Sequence, residues 1–295
     1  MAQTALILGA SGKIGRHFTA AFHAAGWQTR AYKRGTDMST AAQGCDVIVN
    51  GMNPPNYHDW EGILPALTRD VITAAKASGA TILFPGNVYV YGAQPGPWSE
   101  DTPHAPCSRK GEIRSQIEGM YRDAAAEGVQ TILLRAGDFL APEVGDSHVD
   151  MTYLRGFAKG EITTMGDPKI KRAHAWLPDM ARAAVMLAEK RADLPAFTDI
   201  PLAGLTFSTE DLAREITRQA GKPLKIARMP WWLFTLAAPV WEMARELREM
   251  RYLYNTPHRL SGGRLSQILP DFTPTSFEQV IAEILAARSM TALAA

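Results

Sequence analysis

Short apolar segments alternate with helix-like patterns over the first two thirds of the chain. Five of these segments have the length and composition of buried strands: residues 4–8, 28–32, 46–50, 81–84 and 131–134. Between the first two, Ile14, Phe18 and Phe22 recur every fourth residue and give a helix one apolar face. Further helices are predicted over residues 62–78 and 110–127. The alternation predicts an α/β chain with a doubly wound, Rossmann-type parallel sheet.

The connection between the second and third predicted strands is short. Only residues 33–45 lie there, so we expect a shortened helix and a sheet that has lost an element. A helix resumes after Pro178, where Asp179 suits the N-cap or the first turn. We expect a Rossmann domain over residues 1–140 and about 173–200, with a smaller, mostly helical substrate-binding lid region over 141–172 and 201–295.

The composition narrows the class of partner. The 295 residues are 46% hydrophobic and 21% charged, with a net charge of +1, which favours neither a nucleic-acid surface nor a disordered chain. Small molecules or a second copy of the chain are the expected partners, as a monomer or homodimer. Cys45 and Cys107 stand alone, so no metal site or disulfide framework is expected. The apolar opening is too short for a signal-peptide core, which favours a cytoplasmic location.

The longest apolar run, residues 231–241, has about half of the ~20 residues that a membrane helix needs. We expect a buried helix or a substrate lid rather than a membrane-surface helix. The neighbouring cluster that begins at Met229 is expected to pack in the core, with an apolar substrate pocket or a subunit contact as alternatives.

The first strand is followed directly by a glycine motif that opens the first helix, Gly9-Ala10-Ser11-Gly12-Lys13-Ile14-Gly15. In this context Gly9 permits the tight turn, Gly12 admits a pyrophosphate close to the backbone, and Gly15 allows close packing. The helix N-terminus then faces the phosphates. Ile14 after Lys13 excludes a Walker A loop. The alternative is a glycine-rich turn without a ligand.

The end of the second strand selects between the two nicotinamide dinucleotides. It reads Arg30-Ala-Tyr-Lys33-Arg34, and no carboxylate follows until Asp37. An acidic residue here binds the ribose hydroxyls of NAD, whereas basic residues accept the extra phosphate of NADP. The guanidinium of Arg34 suits a phosphate, so the sequence favours NADP over NAD. The alternative is a solvated basic turn.

Three segments together resemble a known superfamily. The glycine spacing from Gly9, the strand Asp46-Val-Ile-Val-Asn-Gly51 and the run Val88-Tyr-Val-Tyr-Gly92 are similar to extended short-chain dehydrogenase/reductases, over roughly residues 4–190. That group includes sugar-nucleotide epimerases, dehydratases and reductases. The resemblance implies a nicotinamide cofactor that contacts Gly51. It also places Asp37 beside the adenine, as in the compact version of deoxysugar reductases.

The chain departs from this family at the catalytic residues. No tyrosine has a lysine four residues later, so the usual Tyr-x-x-x-Lys pair is absent. The resemblance places Asn87 at the position of the catalytic Ser or Thr, and Lys110 and Arg114 where Tyr and Lys would stand. The segment from Lys110 is also similar to atypical reductases related to isoflavone reductase, which carry a functional lysine there. The alternative is an exposed charge ladder of Lys110, Arg114 and Glu118.

Other side chains are weaker candidates. Tyr89 and Tyr91 follow a strand that ends at the cofactor in this fold, so either could donate a proton, and packing is the alternative. His174 is expected to be structural, and no histidine is fixed beside Cys107 to make it a nucleophile.

These observations predict an NADP-dependent oxidoreductase acting on a small carbonyl or hydroxyl compound. Two alternatives stay open: a catalytically silent NADP-binding regulator, and a sugar-nucleotide epimerase or dehydratase with substitute catalytic residues.

Overall fold

The computed structural model describes residues 2–144 and 148–294. The strands in this part of the chain are β1 (Thr4–Leu8), β2 (Gln28–Ala31), β3 (Val47–Asn50), β4 (Thr81–Gly86), β5 (Thr131–Arg135), β6 (Asp138–Leu140), β7 (Glu161–Thr164), β8 (Arg172–Trp176), β9 (Phe197–Pro201), β10 (Leu205–Phe207) and β11 (Lys225–Arg228). The α-helices are α1 (Lys13–Ala24), α2 (Met38–Ala42), α3 (Trp60–Ser78), α4 (Arg109–Ala124), α5 (His148–Met151), α6 (Leu177–Glu189), α7 (Thr209–Ala220), α8 (Trp231–Ala237), α9 (Glu242–Glu249), α10 (Gly263–Ile268) and α11 (Phe277–Ala294).

Six parallel strands form the main sheet, in the order β2-β1-β3-β4-β5-β9. In the register of this sheet, Ile7 of β1 pairs with Ala31 of β2 on one side and with Val49 of β3 on the other. The predicted doubly wound α/β fold is confirmed. Compared with a six-stranded Rossmann order of 3-2-1-4-5-6, the sheet has no strand outside β2 in the described residues. The helix that follows β2 has only five residues, so the predicted shortening is confirmed as well.

Helices cover both faces of this sheet. On one face α1 and α6 pack over β1, β3 and β5, with Phe18 and Phe22 fully buried. On the other face α2, α3 and α4 pack over the same sheet around Ile48 and Ile82. The apolar spacing of α1 predicted this contact, because residues four apart share one helix face. Burial on both faces explains why the central strands are almost entirely apolar.

The second half of the chain adds two smaller sheets and most of the remaining helices. β10, β8 and β6 form one sheet, and β11 pairs with β7 in the other. A separate apolar core joins these strands to α7 and α11 through Tyr153, Trp176 and Ile281. Asp179 lies in the first turn of α6, as expected. The proposed division at residues 140, 173 and 200 stays a prediction.

The prediction of a buried helix over residues 231–241 is wrong, whereas its alternative, a substrate lid, stays a prediction. Trp231 is buried, but Val240 is 92% exposed, Leu236 71% and Trp232 64%. The seven-residue helix α8 packs on the fold through one face only. Its other face is apolar as well and is left exposed. No helix in the described residues is long and apolar enough to cross a membrane.

Candidate functional site

The glycine turn lies at the point where the strand order reverses, because β1 has β2 on one side and β3 on the other. Gly9 has φ +76°, which only glycine adopts without strain. A Cβ on Gly15 would lie 2.1 Å from the Gly9 carbonyl oxygen, whereas one on Gly12 would meet only that oxygen, at 3.3 Å. Gly12 is exposed and caps α1 without a side-chain hydrogen bond. The positive end of α1 is therefore open to an anionic group.

The basic residues after β2 are also open. Lys33 and Arg34 are exposed, and the Arg34 guanidinium makes no hydrogen bond or ion pair with a described residue. Asp37 is engaged elsewhere, since its carboxylate accepts a hydrogen bond of 2.6 Å from the Thr40 N–H and caps α2. The hydrogen bonds from Thr40 lower the pKa of Asp37 below its ordinary value. A position for Asp37 beside an adenine stays a prediction.

Two further predicted residues follow neighbouring strands. A Cβ on Gly51, after β3, would lie 3.0 Å from the Leu8 carbonyl oxygen, and the backbone of Gly51 lies against Gly9. Asn87 follows β4, and its Oδ1 accepts a hydrogen bond of 3.0 Å from the Tyr89 N–H. The carboxyl ends of β1, β3 and β4 therefore lie side by side, and we call the space outside them the crevice, because ligands bind there in sheets of this kind.

Two tyrosines meet beside this crevice. The hydroxyl groups of Tyr57 and Tyr89 are close enough to shift each other's pKa, and Trp60 stacks on Tyr89 with ring centroids 6.5 Å apart. Burial raises the pKa of both tyrosines, and for Tyr89 the neighbouring Tyr57 and Asp138 raise it further. Both side chains are therefore neutral phenols at neutral pH, able to donate a proton and unable to accept one as phenolate.

Tyr57 was not singled out by the sequence. Its φ is +62°, and that of Asp59 is +41°, a conformation that costs energy for residues other than glycine. The surroundings hold it: the Asp59 carboxylate accepts a hydrogen bond from the Gly62 N–H and caps α3. Nothing in the residue types around Pro55 predicts a left-handed tyrosine.

Lys110 lies near the tyrosine pair. Ser108, two residues before it, caps α4 through its Oγ, which accepts a hydrogen bond from the Gly111 N–H. Lys110 is 2% exposed, and its Nζ lies 5.0 Å from the centroid of the Tyr57 ring. The Nζ also makes ion pairs with Glu246 and Glu249 on α9. A role of Lys110 in catalysis or cofactor binding stays a prediction, and it requires the ammonium to leave at least one of these carboxylates.

The carboxylate of Glu246 is held in its charged form. Burial alone would raise its pKa, but the hydrogen bond and positive charge of Lys110, with those of Arg245, lower the pKa below its usual value. The alternative of an exposed charge ladder on α4 is wrong, because Lys110, Arg114 and Glu118 are all buried.

Arg114 supports the loop that carries Tyr57. Its Nη2 donates a hydrogen bond of 2.7 Å to Asn53 Oδ1, and its guanidinium lies 4.6 Å from the centroid of the Trp60 ring. The buried Nε has no hydrogen-bond partner among the described residues. The geometry gives Arg114 a positioning contact with the loop; its predicted catalytic role stays a prediction.

A buried ion cluster fixes the chain behind Asn87. Arg135 is fully buried and makes ion pairs with Glu118 at 2.7 Å and with Asp199 at 2.6 Å. Its Nη1 donates a hydrogen bond of 2.6 Å to the Asn87 carbonyl oxygen. Burial raises the pKa of Asp199, and the charge of Arg135 opposes that shift. Sequence reasoning assigned no role to this cluster, because its members come from three distant elements.

A second cluster joins β6 to β8. Arg172 Nη1 donates a hydrogen bond of 2.7 Å to Asp138 Oδ2, and its Nη2 donates to the Tyr153 hydroxyl. The Tyr153 hydroxyl lies 3.1 Å from His174 Nε2, while His174 Nδ1 lies 2.8 Å from the Arg172 carbonyl oxygen. That carbonyl can only accept, so Nδ1 carries a proton and Nε2 of the neutral ring accepts from Tyr153. His174 is buried and both of its ring nitrogens have partners in this cluster; a structural role for it stays a prediction.

A cavity of about 860 Å³ lies between β7, β11 and α8. Backbone and side chains of Met165, Arg228, Trp231, Trp232, Arg251 and Asn255 line it. Its volume lies within the range of small-molecule sites. Part of the cluster that begins at Met229 thus lines a pocket, one of the two alternatives to core packing.

One part of the chain matches a known protein family. Residues 63–202 fit the model of the NAD dependent epimerase/dehydratase family. This range runs from α3 to the end of the main sheet and begins after the glycine turn. No curated protein matches the chain by sequence.

Solved structures match over almost the whole chain. One is described as MoeE5 in complex with UDP-glucose and NAD, with 15% identity, a TM-score of 0.78 and coverage of 98% of this chain and 99% of that one. A UDP-glucose 4-epimerase from Brucella ovis in complex with NAD gives 17% identity, a TM-score of 0.73 and 98% coverage of both chains. A short-chain dehydrogenase/reductase superfamily protein from Agrobacterium tumefaciens with bound NAD gives 15%, 0.73 and the same coverage.

Over almost its whole length the chain has the same fold as these solved structures, and residues 63–202 match the NAD dependent epimerase/dehydratase family model. The resemblance predicted from the sequence is confirmed.

Proposed function

We propose that this protein is an NADP-dependent oxidoreductase that acts on a small carbonyl or hydroxyl compound. One observation carries the proposal: the open helix N-terminus at Gly12 and the neutral phenols of Tyr57 and Tyr89 follow the carboxyl ends of β1, β3 and β4, which are neighbours in the main sheet. The first feature suits a pyrophosphate and the second suits protonation of a reduced carbonyl oxygen.

The cofactor assignment rests on the glycine turn and on the end of β2. A Cβ at Gly12 would project toward the space that a pyrophosphate needs, whereas Gly9 and Gly15 are required by the turn itself. The structural neighbours described above contain NAD. For this chain we favour NADP, because Arg34 is exposed and unpaired and the carboxylate of Asp37 already caps α2.

The chemistry follows from the protonation state of the tyrosine pair. A reduced nicotinamide held at the glycine turn would supply the hydride for reduction of a substrate carbonyl group. The Tyr89 hydroxyl then gives its proton to the oxygen of that group. The remaining phenolate would have the Tyr57 hydroxyl as its neighbour, and the Lys110 ammonium lies against the ring of that second tyrosine. The Asn87 Oδ1 accepts the hydrogen bond of the Tyr89 N–H, which leaves its NH₂ group available as a donor.

The test is NADPH consumption with a panel of aldehydes and ketones, for the wild type and for Tyr89→Phe. Loss of a positioned proton donor lowers turnover by about 10²-fold or more, while NADPH affinity should stay within a few-fold. Tyr91→Phe is the matched control, because that hydroxyl donates to the Ser99 carbonyl oxygen instead. Equal turnover of Tyr89→Phe and the wild type would remove Tyr89 from the mechanism. Tight NADPH binding without any turnover would favour the silent regulator.

A second candidate, a sugar-nucleotide epimerase or dehydratase with substitute catalytic residues, is favoured by the cavity. Arg228 and Arg251 lie in its wall together with Trp231 and Trp232, a combination suited to a diphosphate and a base. One structural neighbour is described with UDP-glucose. Conversion of UDP-glucose without net change of the cofactor would establish this candidate, and failure of UDP-glucose to bind would exclude that substrate.

A further inference from the structure

Five neighbouring apolar side chains are exposed at the end of the molecule that carries α8. We call Trp232, Leu233, Leu236, Val240 and Trp241 the tryptophan surface. Eight large hydrophobic residues are exposed in the described part of the chain, and five of them are these. Single exposed apolar residues need no explanation, but a contiguous group of this kind marks an interaction site.

The position of α8 explains why this surface is left open. Trp231 anchors the helix, since its Nε1 donates a hydrogen bond of 2.7 Å to the Met165 carbonyl oxygen. Its ring also contacts Phe234, with centroids 5.6 Å apart. Trp232, Leu233 and Leu236 project from the remaining faces. Their exposure adds nothing to the stability of the folded chain, so the surface needs a different explanation.

Arginines border the tryptophan surface. Arg228, Arg248 and Arg251 are exposed, and none of them makes an ion pair with a described residue. Among the nearby carboxylates, Glu242 and Glu246 contact Arg245, and Glu246 and Glu249 contact Lys110. Asp167, in the wall of the same cavity, accepts a hydrogen bond from the Lys169 N–H. The three exposed arginines therefore give this border an excess of positive charge.

We propose that the tryptophan surface docks on an anionic lipid bilayer. Tryptophan and aliphatic side chains insert at the boundary between headgroups and acyl chains, while arginines bind lipid phosphates. A second copy of the chain fits less well, because a two-fold contact would set the arginine border against itself. Trp232 and Leu236 also line the 860 Å³ cavity, so the docked protein turns the mouth of that cavity toward the headgroups.

The experiment is co-sedimentation of the full chain with vesicles of phosphatidylcholine alone or mixed with phosphatidylglycerol. The wild type should bind the mixed vesicles and lose binding in high salt. A double variant, Trp232→Ser with Trp241→Ser, should have an affinity for the mixed vesicles that is at least about tenfold lower. Arg248→Gln should weaken binding by about fivefold.

Two controls match these changes at sites outside the tryptophan surface. Met151→Ser removes an apolar side chain that is 61% exposed, and Arg69→Gln removes an exposed arginine on α3. Both should bind like the wild type, and unchanged thermal unfolding should show that every variant is folded.

The proposal is overturned if the wild type binds mixed vesicles no better than phosphatidylcholine, or if the double variant binds as tightly as the wild type. It is also overturned if sedimentation velocity shows a wild-type dimer that the double variant abolishes while vesicle binding is absent. That result would make the tryptophan surface a subunit interface.

Discussion

Replacing Lys110 tests whether its ion pairs hold α9 onto α4. In Lys110→Met the carboxylate of Glu246 loses its buried cation but keeps the contact with Arg245 Nε, at 3.1 Å. Removing one partner of a buried pair costs about 3–5 kcal/mol. Glu249 is partly exposed, with a side-chain exposure of 24%, and water can solvate it. We therefore expect the lower end, about 3 kcal/mol, and a fall in Tm of about 6 °C or more.

The assay is thermal unfolding at neutral pH without ligand, compared with Lys76→Met. Lys76 pairs with Glu127 on the surface, and an exposed pair contributes about 1 kcal/mol or less. Adding Glu246→Gln to Lys110→Met should restore part of the lost stability, because it removes the uncompensated buried charge. A Tm of Lys110→Met within about 1 °C of the wild type would refute the buried-pair account. A loss of turnover in protein that remains as stable as the wild type would instead support the catalytic role predicted from the sequence.

Two further predictions concern the same ion pair and the glycine turn. The pKa of Glu246 is lower in the folded state than its ordinary value of 4.5, so its contribution is present above pH 4.5 and is lost as the pH falls through the folded pKa. As the pH falls below 4.5, the free energy of unfolding measured with denaturant should therefore fall more steeply for the wild type than for Glu246→Gln. Parallel pH dependences of the two proteins would contradict this. Gly12→Val should abolish NADPH binding and leave the melting temperature unchanged. Gly15→Ala should lower the free energy of unfolding by about 1–3 kcal/mol, because its Cβ would meet backbone atoms. Retained affinity in Gly12→Val would count against the pyrophosphate site.

The main sheet could be predicted because its signals are local. The strands predicted at residues 28–32 and 131–134 end within one residue of the observed ones, since apolar runs bounded by turn residues define a buried strand. The turn itself was predictable as well, because Gly9 has a positive φ and a Cβ on Gly15 would meet the Gly9 carbonyl oxygen; the cofactor role of Gly12 stays a prediction.

The chemistry beside the crevice could not be predicted in the same way, because it depends on contacts between distant segments. Lys110 meets Glu246, which lies 136 residues further along the chain, and no spacing rule connects them. Tyr57 reaches Tyr89 only through a left-handed backbone conformation that no residue type there requires. Residues 231–241 were misjudged because hydrophobicity alone does not tell a buried face from one that awaits a partner.

The most direct test of the central claim is a fluorescence titration of the wild type and Arg34→Ala with NADPH and NADH. The structure offers an open helix N-terminus at Gly12 and an unpaired arginine for the extra phosphate of NADP. We predict that the wild type binds NADPH at least about tenfold more tightly than NADH. Arg34→Ala should lose most of this preference while its NADH affinity stays unchanged. Tighter binding of NADH by the wild type would contradict the NADP assignment, and binding of neither dinucleotide would contradict the proposed function itself.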